Sequence, residues 1–204
     1  MGLRTRLLRI PHVYEVLTNG LGKPGGREWL VDELIQAEPG MRILDVGCGT
    51  ASILGLLPEV TYIGIDHNPD YIAKARRAFG DRGAFVTVDV ADKEFQQLGS
   101  FDRVLALGLL HHLDDTSCIQ LMQSISECLT PTGRLITFDN SLVKGQHPVA
   151  WVLSKVDRGR FSRSPEGYRA IIETAFEIKT EVVRHDLMRV PYSHAAFVSQ
   201  LPQP

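Results

Sequence analysis

Five short apolar runs, spaced by helix-like stretches, restrict this chain to one fold class. The runs are 42–47 (RILDVG), 61–66 (TYIGID), 84–90 (AFVTVDV), 101–108 (FDRVLALG) and 134–139 (RLITFD). Each is rich in β-branched or large apolar residues and ends near Gly, Asp or Asn. Such runs suit strands buried on both faces of a sheet. Between them, 69–79 opens on proline, which is favoured in a first helical turn. Tyr71, Ile72, Ala75 and Phe79 then follow a helical spacing. Residues 115–129 place Ile119, Met122, Ile125 and Leu129 on one face, with Asp114 or Asp115 available as a cap. The turn Pro131-Thr132-Gly133 is the expected stop. Strands alternating with helices mean parallel strands joined by crossover helices. Further helices are expected over 26–37 and 1–18.

The last third changes character. Residues 141–163 hold Gly145, Pro148, Gly159 and several arginines. Residues 165–176 read as a helix, and 177–186 and 194–200 as strands with no helix between them. Such a pair is most simply antiparallel, at one edge of the sheet. At 204 residues, with no internal repeat, the chain is expected to be one domain. Its parts are N-terminal helices (1–40), a ligand-binding core (41–140), and a lid or substrate segment with the closing strands (141–204).

The segment that carries chemistry is Ile43-Leu44-Asp45-Val46-Gly47-Cys48-Gly49-Thr50-Ala51. A buried strand runs into a turn with two glycines flanking Cys48. Glycine lets a ligand lie against the main chain, and at the carboxyl edge of a parallel sheet this makes a nucleotide crevice. Asp66 ends the second run, where an acid can accept hydrogen bonds from both ribose hydroxyls. Asp89 lies at the end of the third, within reach of an adenine edge. A dinucleotide fingerprint needs glycine where Ser52 stands. Asp45, just before the turn, opposes a pyrophosphate and suits a ligand bearing an ammonium and a sulfonium.

ILDVGCGTA, YIGIDHN, FVTVDVAD and FDRVLALGLLHHL resemble, in that order, the motifs of class I S-adenosylmethionine-dependent methyltransferases. The resemblance covers about residues 26–140 and continues weakly to the last strands. It departs at Ala51, where the family usually has a third glycine. It implies a Rossmann-like, doubly wound, mostly parallel sheet of seven strands with the last antiparallel. S-adenosylmethionine is the implied cofactor. Gly47, Cys48 and Gly49 would form the turn that admits its methionine part, with Asp45 near the amino group. Asp66 would hold the ribose, and His67 would lie against the adenine. Asp89 and the amide of Val90 would read the adenine edge. The backbone at Leu107 and Gly108 would face the methionine end.

His111 and His112 follow the fourth run, at a point that opens onto the same cleft. Either can take a proton from an acceptor as the methyl group arrives, or can simply pack there. With Asp114 and Asp115 they also make a set of metal donors. Adjacent histidines do not easily chelate one ion, and caps explain the aspartates better, so no metal is expected. Arg158, Arg160, Arg163 and Arg169 are solvated residues or grips for a carboxylate or phosphate on the substrate. Tyr14, Trp151, Tyr168 and Tyr192 line the acceptor pocket or belong to core and interface.

A formal charge of −2 gives no general attraction to nucleic acid or to a membrane. No apolar run approaches the roughly 20 residues that span a bilayer. Cys48, Cys118 and Cys128 lack metal-knuckle spacing and point to a reducing, cytoplasmic compartment. The expected partner is therefore a small-molecule substrate, anionic if the arginines hold it. A nicotinamide-dependent oxidoreductase and a non-catalytic S-adenosylmethionine-binding protein are the alternatives.

Overall fold

A computed structural model describes residues 22–89, 97–146 and 161–203. The strands are β1 (Arg42–Val46), β2 (Thr61–Asp66), β3 (Gly83–Thr87), β4 (Phe101–Leu107), β5 (Leu129–Asn140), β6 (Glu177–Arg184) and β7 (His194–Gln200). They form one sheet in the order β3-β2-β1-β4-β5-β7-β6. The pairs β1–β2, β1–β4, β2–β3 and β4–β5 are parallel, and β7 is antiparallel to both β5 and β6. The strand order reverses at β1, so a crevice opens between the ends of β1 and β4.

The helices are α1 (Gly26–Trp29, continued by a π-helical turn over Leu30–Ile35), α2 (Pro69–Phe79), α3 (Asp115–Cys128) and α4 (Pro165–Ile172). Short 3₁₀ turns cover Ser52–Leu56 and Leu110–His112. Local chemistry sets the helix starts. Asn68 accepts from the amide of Asp70, and Pro69 occupies the first turn of α2. Asp114, rather than Asp115, caps α3 by accepting from the amide of Ser117 at 2.8 Å. Ser164 and Pro165 do the same for α4.

Successive strand residues face opposite sides. Leu44, Val46, Ile65, Val104, Leu135 and Phe197 pack against Cys118, Met122 and Ile125 of α3 and Ile172 of α4. Ile43, Tyr62, Leu105, Ile136 and Val198 pack against Leu34, Ile35, Ile72 and Ala75 on the other side. Two covered faces explain the near-continuous apolar runs. The edge strands β3 and β6 are the exceptions and are largely half-buried or exposed.

Two expectations need correction. The turn at Pro131-Thr132-Gly133 does not separate α3 from its strand. β5 starts at Leu129, directly after the helix, and its register skips from Phe101↔Leu129 to Arg103↔Arg134, so the turn is taken up as an irregularity within the strand. The late helix stops at Ile172, four residues short of the expected end. As expected, the late strands form an antiparallel pair at one edge of the sheet, with β7 beside β5 and β6 outermost. This brings His194, the first residue of β7, opposite Asn140 at the crest of the sheet. The helix expected over 1–18 lies outside the described residues.

Candidate cofactor and acceptor site

The bend after β1 is tied to β2. The amides of Gly47 and Cys48 both donate to the carbonyl of Ile65, at 2.8 and 3.0 Å. Gly47 (φ 72°) and Gly49 (φ 55°) take the left-handed backbone that favours glycine. A Cβ on Gly47 would strike Leu109 Cδ1 at 2.9 Å, so the loops after β1 and β4 touch. Among the described residues, a Cβ on Gly49 would meet nothing within 4 Å, so they leave this part of the bend open. Ala51 shares the left-handed conformation (φ 56°) with its methyl buried.

Asp66 is buried at the end of β2. One oxygen accepts from the amide of Gly49 at 2.9 Å, the other from the amide of Asn68 at 2.8 Å. The carboxylate thus joins the two loops, and an ionised carboxylate still has lone pairs for a sugar. His67 beside it is exposed, its Nδ1 3.5 Å from an Asp66 oxygen. Asp89 is exposed just beyond β3. Val90 lies outside the described residues. Leu107 and Gly108 are half-buried at the end of β4, and the Gly108 amide donates to the Phe138 carbonyl at 2.6 Å.

Asp45 is only 3% exposed and accepts from the Tyr62 hydroxyl at 2.5 Å. Burial pushes its carboxyl up to about 7; the Tyr62 bond works against this, and the nearby Asp66 charge adds to it. Burial, then the charges of Asp45 and Asp66, raise the Cys48 thiol far above its usual range. Cys48 is therefore a protonated spacer between the glycines rather than a nucleophile.

The turn after β4 carries the histidines. His111 is 3% exposed. Its amide and its Nδ1 both reach one oxygen of Asp139, at 3.1 and 2.7 Å. Burial raises the Asp139 carboxyl, and the His111 bonds oppose that. His112 is exposed, with its ring centroid 4.0 Å from that of His111. Arg163 clamps the turn, donating to the carbonyls of Leu110, Leu113 and Phe161 and to the Asp115 carboxylate. Arg169 makes a two-pronged pair with Glu181. Both arginines thus hold this protein's own groups, whereas Arg158 and Arg160 lie outside the described residues. Tyr168 is a core residue whose hydroxyl donates to the Asn140 carbonyl. Tyr192 reaches the crest, where Asn140 Nδ2 donates to its hydroxyl and its ring tilts on His194. Tyr14 and Trp151 are outside the described residues.

Asp45, Gly47, Cys48, Gly49, Asp66, His67, Asp89, Leu107 and Gly108 therefore share one edge of the sheet, with the histidine turn beside them. Residues 44–135 match the family described as a methyltransferase domain. Over these residues the chain carries a methyltransferase domain.

Trans-aconitate 2-methyltransferase of Escherichia coli is 31% identical over 161 residues, 74% of this chain and 60% of that protein. The chain spans at most 60% of the length of the curated relatives it matches first. Two solved structures share the fold. A TehB-like methyltransferase from Corynebacterium glutamicum has a TM-score of 0.69 at 19% identity, covering 94% of this chain and 95% of its own. The N-methyltransferase NodS from Bradyrhizobium japonicum, solved with S-adenosylhomocysteine, has a TM-score of 0.68 at 16% identity, covering 87% and 86%.

The residues present fit the cofactor of this domain family. The open side of Gly49 leaves room along the main chain, and two carboxylates at the bend suit a cation. Asp139 and Tyr62 were not among the sequence candidates. Asp139 had a usable signal, since it closes an apolar run as Asp66 does. Tyr62 had none, because a tyrosine inside an apolar run reads as core.

Proposed function

We propose that this protein transfers the methyl group of S-adenosylmethionine to a small-molecule acceptor. The observation that carries the reading is the Gly49 amide bound to Asp66 across the ends of β1 and β2, beside the switch point, with the glycine left open by the described residues. The cofactor, when bound, supplies a methyl group on a sulfonium centre. The chain's own residues then have distinct tasks. Asp66 holds the ribose hydroxyls, and His67, Asp89 and the Val90 amide surround the adenine. Asp45 and the Gly47–Gly49 backbone receive the amino-acid end. Leu107, Gly108 and Leu109 close the floor of that end and exclude water.

Between the histidines, exposure supports one assignment over the other. His112, at the surface, is the ring that can meet an acceptor and take its proton. His111, buried against Asp139, holds the turn in place. A small acceptor is supported by the relative named for trans-aconitate. Arg163 and Arg169 give no support to an anionic one, because both are held internally. The free thiols of Cys48, Cys118 and Cys128 support a reducing, cytoplasmic setting.

Calorimetry with S-adenosylhomocysteine and with NAD tests the reading. Binding of the first alone, lost in Asp66→Ala, is the expected result. Preference for NAD, or indifference to the Asp66 change, would overturn it. His112→Ala should keep ligand binding and lose turnover by about 100-fold with an acceptor that must release a proton.

A further inference from the structure

Tyr62 is fully enclosed near the start of β2, beside Ile43 in register and Phe85 on β3. Phenylalanine would fill that place equally well. The hydroxyl is the one feature that packing does not require, and a buried hydroxyl needs a partner. Its partner is Asp45, at the entrance to the glycine bend.

We propose that Tyr62 is a positioning residue, whose hydroxyl holds one oxygen of Asp45 so that the carboxylate meets the ammonium of an amino-acid nucleoside. The inference rests on the methyltransferase reading and deepens it. A buried carboxylate is normally satisfied by a cation. Lysine or arginine at position 62 would supply one and would repel an ammonium ligand. A neutral hydroxyl orients the carboxylate while leaving its charge uncompensated, so the incoming ligand supplies the missing positive charge.

The other groups facing Asp45 agree. Among the described residues these are Asp66 at the end of β2 and Cys48 in the bend. The first is acidic and the second is a buried thiol, so neither neutralises Asp45. On neighbouring β4, Arg103 sits opposite Ile43 on the same face. Its guanidinium donates to the carbonyls of Ile35, Gln36 and Asp102, away from the bend. This buried cation is thus committed elsewhere.

The test compares two ligands in the full-length protein. S-adenosylhomocysteine carries the ammonium, and 5′-methylthioadenosine keeps the nucleoside and sulfur without it. In Tyr62→Phe, affinity for the first should fall about fivefold or more near pH 7, the weight of one hydrogen bond to a charged group. Affinity for the second should stay within about twofold. Between about pH 6 and pH 7.5 the wild type should bind S-adenosylhomocysteine more tightly as Asp45 loses its proton. Tyr62→Phe should displace that rise to higher pH, and Asp45→Asn should abolish it. Equal losses for both ligands, or an unmoved pH profile, would overturn the assignment while leaving the methyltransferase reading intact. A wild type that binds neither ligand would overturn that reading and this inference with it.

Discussion

A single oxygen of Asp139 accepts both the backbone amide and the Nδ1–H of His111, so one carboxylate fixes the turn and the ring together. The pair is almost fully enclosed. Removing one partner leaves the other buried without its complement, which typically costs about 3–5 kcal/mol. Asp139→Ala should therefore lose about 3 kcal/mol in urea denaturation at neutral pH. A loss under about 1 kcal/mol would show that the pair contributes little to holding the turn.

Asp45 gives the ligand-free protein a pH dependence of definite sign. Its carboxyl is pushed from 3.8 up to about 7 in the folded state. Below about pH 4 the group is protonated whether folded or unfolded, and its contribution is at its most favourable. As pH rises to about 7 the unfolded chain gives up the proton and the folded one resists, so stability falls. The loss amounts to a few kcal/mol at about 1.4 kcal/mol per pH unit. Asp45→Asn should accordingly raise the melting temperature of the ligand-free protein more at pH 8 than at pH 5, while weakening S-adenosylhomocysteine. Equal shifts at both pH values would refute this linkage.

The parts of the fold readable from sequence were those with a local signal. Pro69 and Asp114 mark helix starts through first-turn and capping chemistry, and the apolar runs reproduce the five parallel strands of the core to within a few residues, β5 excepted. The position of Asp66 was readable because a strand-terminal acid after a glycine bend has few other uses. What escaped depends on contacts distant in sequence. Asp139 meets His111 only because β5 lies beside β4, and Tyr62 meets Asp45 only because β2 lies beside β1. Arg163 shows the same limit in reverse. Among neighbouring arginines it reads as solvated or substrate-binding, yet its partners at 110, 113 and 115 make it a structural clamp.

Arg163 also supports a prediction. Its side chain is 10% exposed and donates to three carbonyls besides Asp115. Lysine cannot reproduce that fork. Arg163→Lys should lose about 2 kcal/mol, as expected when several bonds from a charged group to carbonyls, two of them part-buried, are lost. The loss should persist in high salt, because most of the partners are carbonyls and salt screens charge pairs. Chemical denaturation at low and high sodium chloride would decide it; a loss that vanishes in salt would assign the effect to the Asp115 pair alone.

Gly49 and Ala51 share nearly the same backbone, φ 55° and 56°, but differ in what surrounds a side chain. At Ala51 the methyl is buried, so the packing offsets part of the strain. Ala51→Gly should relieve about 1 kcal/mol of left-handed strain and forfeit about 0.8 kcal/mol of methyl burial. The two nearly cancel, and the melting temperature should hardly move. At Gly49 a methyl enters open space beside Asp66, where the ligand is proposed to lie. Gly49→Ala should fold with a loss of only about 1–2 kcal/mol, since Ala51 shows that alanine can occupy this backbone conformation. Its S-adenosylhomocysteine affinity should fall by more than about tenfold, because the methyl blocks the close approach of ligand to main chain. Calorimetry and thermal melting on the same preparations separate these effects. If Gly49→Ala binds as tightly as the wild type, the ligand does not lie against this bend.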